Sequence, residues 1–555
     1  MLLSNLNLLA TAPSGVARLR ELILTLAVQG KLVLQDPKDE PASELLKKIR
    51  TEKDRLIATG KIKRDKPLAE IAEEEKPFGL PHGWQCCRLG DLLLSIRSGG
   101  TPSKQNPAYW DGDIPWASVK DLRFGEPLAN TQDHITRAGL DAGSELAPAG
   151  SILICTRMGL GKIGEALIDV AINQDLKAVL LGSGVDKQYF INYFKTLAVV
   201  GSGMTVAGIK QDELLGFLVP LPPEAEQSRI VTRVEELMRL CDALEAKGQL
   251  EATQHAQLVS TLLATLTDSE TPAQLTENWQ RIATHFDLLL DRPEAVDALE
   301  QTILQLAVRG LLVPQDPQEE PASELLKKIR AEKDKLIAEG KIKRDKPLPP
   351  IAEDEQPFVL PQGWEWVPIE TLADVGTGTT PSRDNVAFFA GGSIPWVTSG
   401  ETGKPFIAKT AQHVTELALS QTSLTIYPVG TLIVAMYGQG KTRGQVSELQ
   451  IDATTNQACA AIVLVEPSSV HRSFVKLVFE KSYDEIRELS AGGAQPNLNV
   501  GKVKATLIPL PPLAEQSRIV TRVAQLRRLC ADLRQRLVVS QSTQAKVAES
   551  LIASV

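Results

Sequence analysis

The sequence predicts an α+β fold: two mixed α/β domains joined and spaced by long helices, the whole built as an internal, pseudo-twofold repeat. Three observations predict it. Long segments occur twice almost verbatim, a heptad of apolar residues follows each of two PLPP turns, and strand-like runs stand among glycine-rich turns in the middle of both copies. At 555 residues the chain exceeds what one core ordinarily serves, so several domains are expected.

The repeat carries most of the information. Asp36 to Pro67 (DPKDEPASELLKKIRTEKDRLIATGKIKRDKP) returns as Asp316 to Pro347 with five differences. The likeness runs on through LPHGW, ending at Trp84, and LPQGW, ending at Trp364. It thins, recovers at the IPW triplets ending at Trp116 and Trp396, and closes on PLPPEAEQSRIVTRV (Pro220 to Val234) beside PLPPLAEQSRIVTRV (Pro509 to Val523). Duplication with uniform drift would not leave the frames intact while scrambling the middles. Two fixed frames around two different middles suit a protein that keeps one geometry while reading two different things.

The predicted order is a helical leader over 1–76, a first mixed domain over 77–222 and a long helix over 223–266. A linker with a short helix over 267–295 follows, then a second leader over 296–356, a second mixed domain over 357–512 and a second long helix over 513–555. In the leaders, Leu19 to Gly30 and Leu299 to Gly310 place apolar residues at three- and four-residue steps and close on glycine. Pro41 and Ser43 open a second helix that Gly60 closes. The basic stretch Lys61 to Lys66, repeated at Lys341 to Lys346, reads either as a solvated helix end or as a phosphate contact. The apolar start MLLSNLNLLATAPSG has no basic leader and no small-residue cleavage site, and reads as a poorly ordered terminus.

In the trailers, proline ends a strand and presets the entry to a helix. Ile230, Val234, Leu237, Cys241 and Leu244 then alternate at four and three residues, as do Ile519, Val523, Leu526, Cys530 and Leu533. That is the seam of helices packing along their length, with the cysteines as core residues. Polar residues interrupt both seams, at Glu251 and His255 and at Ser540 and Gln544, and apolar positions are expected to resume at Leu258 and Leu262 and at Val547 and Leu551. A helix of about 40 residues spans about 60 Å.

Each middle holds three places with candidate chemistry. The first is the loop Ser98 to Asp121, matched by Gly376 to Gly400. Its small polar residues and cations are Thr101, Ser103, Lys104, Ser118 and Lys120, then Thr380, Ser382, Arg383, Thr398 and Ser399; such residues can approach a duplex and donate to phosphate or base edges. Trp116 and Trp396 in the same loops read as core anchors. The second is the strand-to-glycine turn carrying Arg157 and Lys162, matched by Tyr437, Gln439, Lys441 and Arg443. It is either a hairpin that enters a groove or a surface turn with solvated charges. GQGKT there is not a phosphate loop, because Thr156 and Ala435 stand where that motif needs glycine. The third is the amide pair Asn173–Gln174, with Asn456–Gln457 as counterpart. Amides of this kind read adenine or satisfy loop backbone.

Composition narrows the classes. Hydrophobic residues make up 43% and charged residues 23%, as in globular proteins, and no run of about 18 uncharged apolar residues predicts a membrane span. The six cysteines form no C-x-x-C pair and the histidines no zinc spacing, which fits a reducing cytoplasm. The net charge of −8 opposes a basic domain that coats phosphate, so nucleic-acid contact must rest on local patches or on a partner's charge. No methyltransferase N-P-P-[YF] tetrapeptide, G-x-G-x-x-G turn, H-E-x-x-H or Ser/His/Asp order is found, and His134 and His413 read as loop-structural.

Taken together, the doubled PLPP-x-AEQ-x-x-IV trailers, the glycine/TPS…IPW loops and the LAV-x-G…PASELLKKI…LP-x-GW leaders resemble the specificity subunits of type I restriction–modification systems, over nearly the whole chain. The leaders look like the subgroup called type IB. The resemblance implies two target-recognition domains that each read one half of a split, asymmetric double-stranded DNA site, with the long helices packed antiparallel as a spacer. It implies two methyltransferase subunits on this frame and two ATP-driven restriction subunits beyond them, in the cytoplasm of a bacterium or archaeon. It also implies no active site, metal or cofactor in this chain, S-adenosylmethionine, ATP and Mg being used by the partners. The competing reading of the acidic composition is a coiled-coil scaffold that binds protein partners without DNA readout.

Overall fold

The structure, a computed structural model, describes residues 6–64, 67–197, 208–344, 351–438, 442–483 and 498–553. It divides into two compact units, one made of Met1–Glu251 with Gln541–Val555, the other of Ala252–Ser540.

In the first unit the leader forms helices Leu6–Thr11, Gly15–Val28 and Ala42–Ala58. The terminus is therefore ordered from Leu6, against the sequence expectation, because Leu9 and Ala12 are buried in one cluster with Ile23, Ile230 and Val234. Gly30 and Gly60 follow the second and third helices at φ +68° and +69°, and the amides of Lys31 and Lys61 return to the carbonyls of Leu26 and Leu56. Only glycine takes that left-handed turn without strain, which is why both helices stop there.

Among the described residues, ten strands build the first mixed domain: β1 (Gln85–Arg88), β2 (Leu93–Ser98), β3 (Trp110–Ala117), β4 (Asp133–Ile135), β5 (Glu145–Ala147), β6 (Ile152–Cys155), β7 (Ile163–Glu165), β8 (Val170–Ile172), β9 (Leu176–Leu181) and β10 (Leu218–Leu221). They form two sheets, ordered β2-β9-β6-β7 and β4-β3-β8-β5, plus a β1-β10 ribbon. The ribbon pairs Gln85 with Leu221 and Arg88 with Leu218, so the domain is closed where it enters and leaves the frame. Pro222 and Pro223 end β10, and the first long helix starts at Glu224 and runs to Thr267.

The second unit repeats this plan. Helices Pro293–Val308 and Ala322–Ala338 form its leader, closed by Gly310 at φ +73° and Gly340 at φ +69°. Its strands are β11 (Glu365–Pro368), β12 (Ala373–Thr377), β13 (Ile394–Val397), β14 (Phe406–Ile407), β15 (Gln412–Val414), β16 (Leu432–Ala435), β17 (Val446–Leu449), β18 (Thr454–Thr455), β19 (Cys459–Leu464) and β20 (Leu507–Leu510). The sheets are β12-β19-β16-β17-β14 and β15-β13-β18, with a β11-β20 ribbon. The extra edge strand β14 corresponds in the first unit to the isolated bridges Phe124↔Ile163 and Leu128↔Ala166. His134 and His413 lie on β4 and β15, not in loops. Between the two frames, helices Pro272–Thr284 and Phe286–Leu289 occupy the stretch expected to hold one short helix.

The second long helix is Leu513–Ala553. Each unit takes the start of one long helix and the end of the other, the pairing that antiparallel helices make. In the first, Ala548 joins the cluster of Ile230, Val234 and Cys241; in the second, Val259, Leu263 and Leu266 join that of Ile519, Val523 and Cys530. Leu237, Leu244, Leu526 and Leu533 are half-buried. Much of each seam faces its own leader helix: Arg20 pairs with Asp242 at 2.6 Å and Glu245 at 2.8 Å, and Arg534 with Asp297 at 2.6 Å. Past the polar interruptions Leu262 and Leu551 pack half-buried against the two cores as the spacing places them, but Leu258 and Val547 do not. Leu258 is 51% exposed while Val259 and Leu263 are 3% and 4% exposed, and Val547 is 44% exposed while Ala548 is 3% exposed. The buried face has moved by one residue at both, because a strict seven-residue count drifts from 3.6 residues per turn.

Candidate nucleic-acid interface

In the first mixed domain the three candidate places converge at the ends of β3, β6 and β8. The Asn173 amide donates to the Ala117 carbonyl at 3.0 Å, and the Thr156 amide to the Asp175 carbonyl at 2.8 Å. The chain leaving β2 is drawn in by the Gly100 amide, which donates to the Ile172 carbonyl at 3.0 Å. At Gly99 a Cβ would stand 2.0 Å from that same oxygen, so the approach demands glycine. Thr101 then donates from its hydroxyl to the Gln174 Oε1, and Trp116, buried, donates its indole N–H to the Gly100 carbonyl at 3.3 Å.

A carboxylate clamps the loop beyond β3. Asp121 accepts from the Ser118 amide at 2.8 Å, the Ser118 hydroxyl at 3.0 Å and the Gln132 amide at 2.9 Å. Lys162, on the β6–β7 hairpin, donates to the Val119 carbonyl at 3.0 Å, which bolts the hairpin to this loop. Arg157 is oriented by Asp175 at 3.4 Å, and Asp175 is in turn held by Asn173.

The second domain builds the same device from matching residues, with Glu401 in the place of Asp121. The Asn456 amide donates to the Val397 carbonyl at 3.0 Å, Thr380 donates to Gln457, and the Trp396 indole to the Thr379 carbonyl at 3.2 Å. Glu401 accepts from the Thr398 amide at 2.7 Å and the Ala411 amide at 2.8 Å. Arg383 reaches Gln412 at 3.4 Å and lies over the Phe389 ring.

Thr101, Ser103, Lys104, Lys120, Arg157 and Gln174 are exposed around the first cluster, with Lys162 half-exposed. Ser382, Arg383, Tyr437 and Gln457 are exposed around the second, with Thr380, Thr398, Ser399 and Arg443 half-buried. Gln439 and Lys441 lie outside the described residues, as do Asp65, Lys66, Asp345 and Lys346 of the basic stretches. Ser118 does not fit the role expected of it: it is 8% exposed and its hydroxyl is committed to Asp121. Asn173 and Asn456 take the backbone-satisfying role, accepting from the amides of Asp175 and Ala458 at 3.1 Å each. Sequence reasoning looked for cations and amides and so missed the clamps, although an acid stands five positions past both IPW tryptophans.

The frames hold each domain to its trailer through one buried carboxylate. Glu226 accepts from the Trp84 indole at 3.0 Å and from Gln35 at 3.1 Å; Glu515 accepts from Trp364 at 2.9 Å and Gln315 at 3.1 Å. Burial raises both carboxyls above their ordinary range, and these hydrogen bonds and the nearby Arg229 and Arg518 oppose that rise. The adjacent glutamines reach the reading domains: Gln227 accepts from the Asp186 amide at 2.7 Å, and Gln516 pairs with His471 Nδ1 at 3.0 Å. All six cysteines are buried, and burial pushes the Cys459 thiol up to about 12, the behaviour of packing groups and not of nucleophiles. Among the described residues no group of three or more His, Cys, Asp or Glu is placed to hold a metal ion, and no helix is long and apolar enough to cross a membrane.

Residues 81–254 and 361–538 match the family described as the type I restriction modification DNA specificity domain. The specificity subunits of the type I restriction enzymes EcoEI and EcoAI of Escherichia coli are 34% and 35% identical to this chain, over 97% of it and 93% of each of them. The MjaIX specificity subunit of Methanocaldococcus jannaschii is 20% identical over 78% of this chain and 84% of its own. The crystal structure of the HsdS subunit from Thermoanaerobacter tengcongensis aligns over 86% of this chain and 97% of that one, at 16% identity and a TM-score of 0.36.

Proposed function

The chain belongs to the type I restriction–modification DNA specificity family, and on that premise we propose that it tells partner enzymes which DNA site to act on and does no chemistry itself. Each mixed domain docks one half of a bipartite double-stranded target. The clamped ends of β3, β6 and β8, and of β13, β16 and β18, face the bases, and the long helices set the distance between the half-sites. Because Lys120 and Arg157 of the first cluster are replaced by Gly400 and Tyr437 in the second, the two half-sites differ and the target is asymmetric.

The observation that carries this reading is the repeated scaffold beneath unlike tips. Thr101–Gln174 and Thr380–Gln457, the two indole-to-carbonyl bonds and the two carboxylate clamps are the same device in domains whose surface residues have diverged. A fixed support under variable donors is what direct base readout requires. The matched frames offer equivalent faces to two methyltransferase subunits, with two restriction subunits added to that assembly. S-adenosylmethionine, ATP and Mg belong to those partners, which also supply the positive charge that a chain of net charge −8 lacks. The assembly works in the cytoplasm.

The test is an exchange. Replacing residues 77–222 by the equivalent domain of a relative, in the complex with the methyltransferase, changes one half of the methylated site and leaves the other as it was. Loss or change of both halves contradicts the modular reading.

A further inference from the structure

Met158 sits at the tip of the β6–β7 hairpin with φ +61°, in the left-handed region that side chains other than glycine, asparagine and aspartate rarely adopt. The second domain has Gly438, with φ +152°, at the matching place. Burial does not compensate the strain in the first domain, because Met158 is 68% exposed. Met158 and Phe124 together leave an apolar point in solvent, at a backbone position that favours glycine, and such outliers gather at functional sites.

The hairpin that presents it is not loose. Lys162 is bonded to the Val119 carbonyl, the Gly125 amide donates to the Ile163 carbonyl at 2.7 Å, and a Cβ on Gly159 would stand 2.6 Å from Val119. Phe124, itself 61% exposed, lies against the same turn, its ring 3.5 Å from where a Cβ on Gly161 would stand. Arg157, the residue before Met158, is exposed and steered by Asp175, and the loop that carries Phe124 also carries Lys120 and Arg123, the latter 3.8 Å from Glu126. An apolar tip beside an exposed arginine, on a hairpin tied to the neighbouring loop, complements a groove whose walls are phosphate and whose floor carries a methyl group.

We propose that Met158 is a specificity-determining residue of the first domain, packing against the 5-methyl group of one thymine in the major groove of its half-site. This deepens the function proposed above and rests on it. Arg157 and Lys120 hold the flanking backbone or guanine edges, and Met158 supplies the contact that tells thymine from cytosine.

The probe is a set of duplexes bearing the methylated site, with single thymines of either half replaced by deoxyuridine, bound to the complex of this chain with its methyltransferase. With the natural chain, one deoxyuridine in the first half-site weakens binding about fourfold, the worth of one buried methyl group. In Met158→Ala that same replacement has no further effect, and replacements in the other half-site act as before. Met158→Gly, which relieves the backbone strain, behaves as Met158→Ala on DNA while its unfolding temperature is unchanged or higher, so misfolding is separated from lost contact. Equal sensitivity to deoxyuridine in the natural chain and both variants overturns the role of Met158, as does a loss that is uniform across all sequences. Failure of the natural complex to prefer the site over random DNA overturns instead the function on which the inference rests.

Discussion

The indole of Trp84 and the carboxylate of Glu226, 142 residues apart in sequence, meet in a buried hydrogen bond of 3.0 Å. This bond joins the residue just ahead of β1 to the first turn of the long helix and explains why LP-x-GW and AEQ travel together in both copies. Trp84→Phe removes the donor and leaves a buried carboxylate short of a partner, so it destabilises the first unit by about 1–3 kcal/mol. Hydrogen exchange over residues 80–90 and 220–232 reads this. Unchanged protection there contradicts the assignment.

Gly30 and Gly60 share the same left-handed turn and differ in what surrounds it. A Cβ on Gly30 would stand 2.4 Å from Pro81 Cγ and 3.0 Å from Trp84, whereas at Gly60 it meets nothing within 4 Å. Gly60→Ala therefore costs only the backbone term, about 1 kcal/mol, and Gly30→Ala costs that plus a collision with the tryptophan that Glu226 holds. Denaturant midpoints of the two variants check the order.

His471 is buried with Nδ1 on Gln516, and desolvation lowers its pKa below the ordinary 6.5 despite that hydrogen bond and the charge of Glu466. Because Gln516 Nε2 donates to the Pro511 carbonyl at 2.9 Å, its Oε1 accepts and Nδ1 carries the proton. As pH falls, the unfolded chain takes up a proton before the folded one does. The stability from this group is therefore complete above the ordinary value and is lost as pH falls below it. Between about pH 7.5 and 5.5 the natural chain loses stability relative to His471→Gln, read as the gap between their unfolding temperatures. Parallel curves contradict it.

The seam shift gives a paired test on the first long helix. Leu263→Ala, at a buried position, costs about 2–5 kcal/mol, while Leu258→Ala, at an exposed one, costs about 0.5 kcal/mol or less. The strict heptad count assigns the larger effect to Leu258, so calorimetry on the two variants decides the phase.

Much of the fold was legible in the sequence because it is punctuated locally. Gly30, Gly60, Gly310 and Gly340 close the leader helices where positive φ demands glycine, and the PLPP turns begin the long helices within a residue or two of where proline places them. What stayed illegible depends on tertiary partners. The helix Leu6–Thr11 is too short to hold on its own and exists because Leu9 finds a buried cluster. The seam phase after Cys241 is set by accumulated helical drift, which no single residue announces. At the candidate site the sequence singles out cations, glycines and amides, whereas Asp121 and Glu401 acquire their role only from the amides that the fold brings to them.

Those clamps carry a prediction of their own. Asp121→Ala frees the Ser118 and Gln132 amides and loosens the loop after β3, and Glu401→Ala does the same after β13. Each weakens selection at its own half-site about tenfold, the worth of a charge-assisted hydrogen bond, and spares the other. Methylation rates on targets altered in one half or the other measure it.

In the proposed function, two unlike readers are carried at one set separation along the duplex. Mapping every methylated base in host DNA, with this chain present and with it deleted, tests that most directly. The account predicts that the chain adds one asymmetric bipartite motif with a single spacer length. Methylation that is unchanged by the deletion, or that falls on half-sites at variable distances, would contradict it.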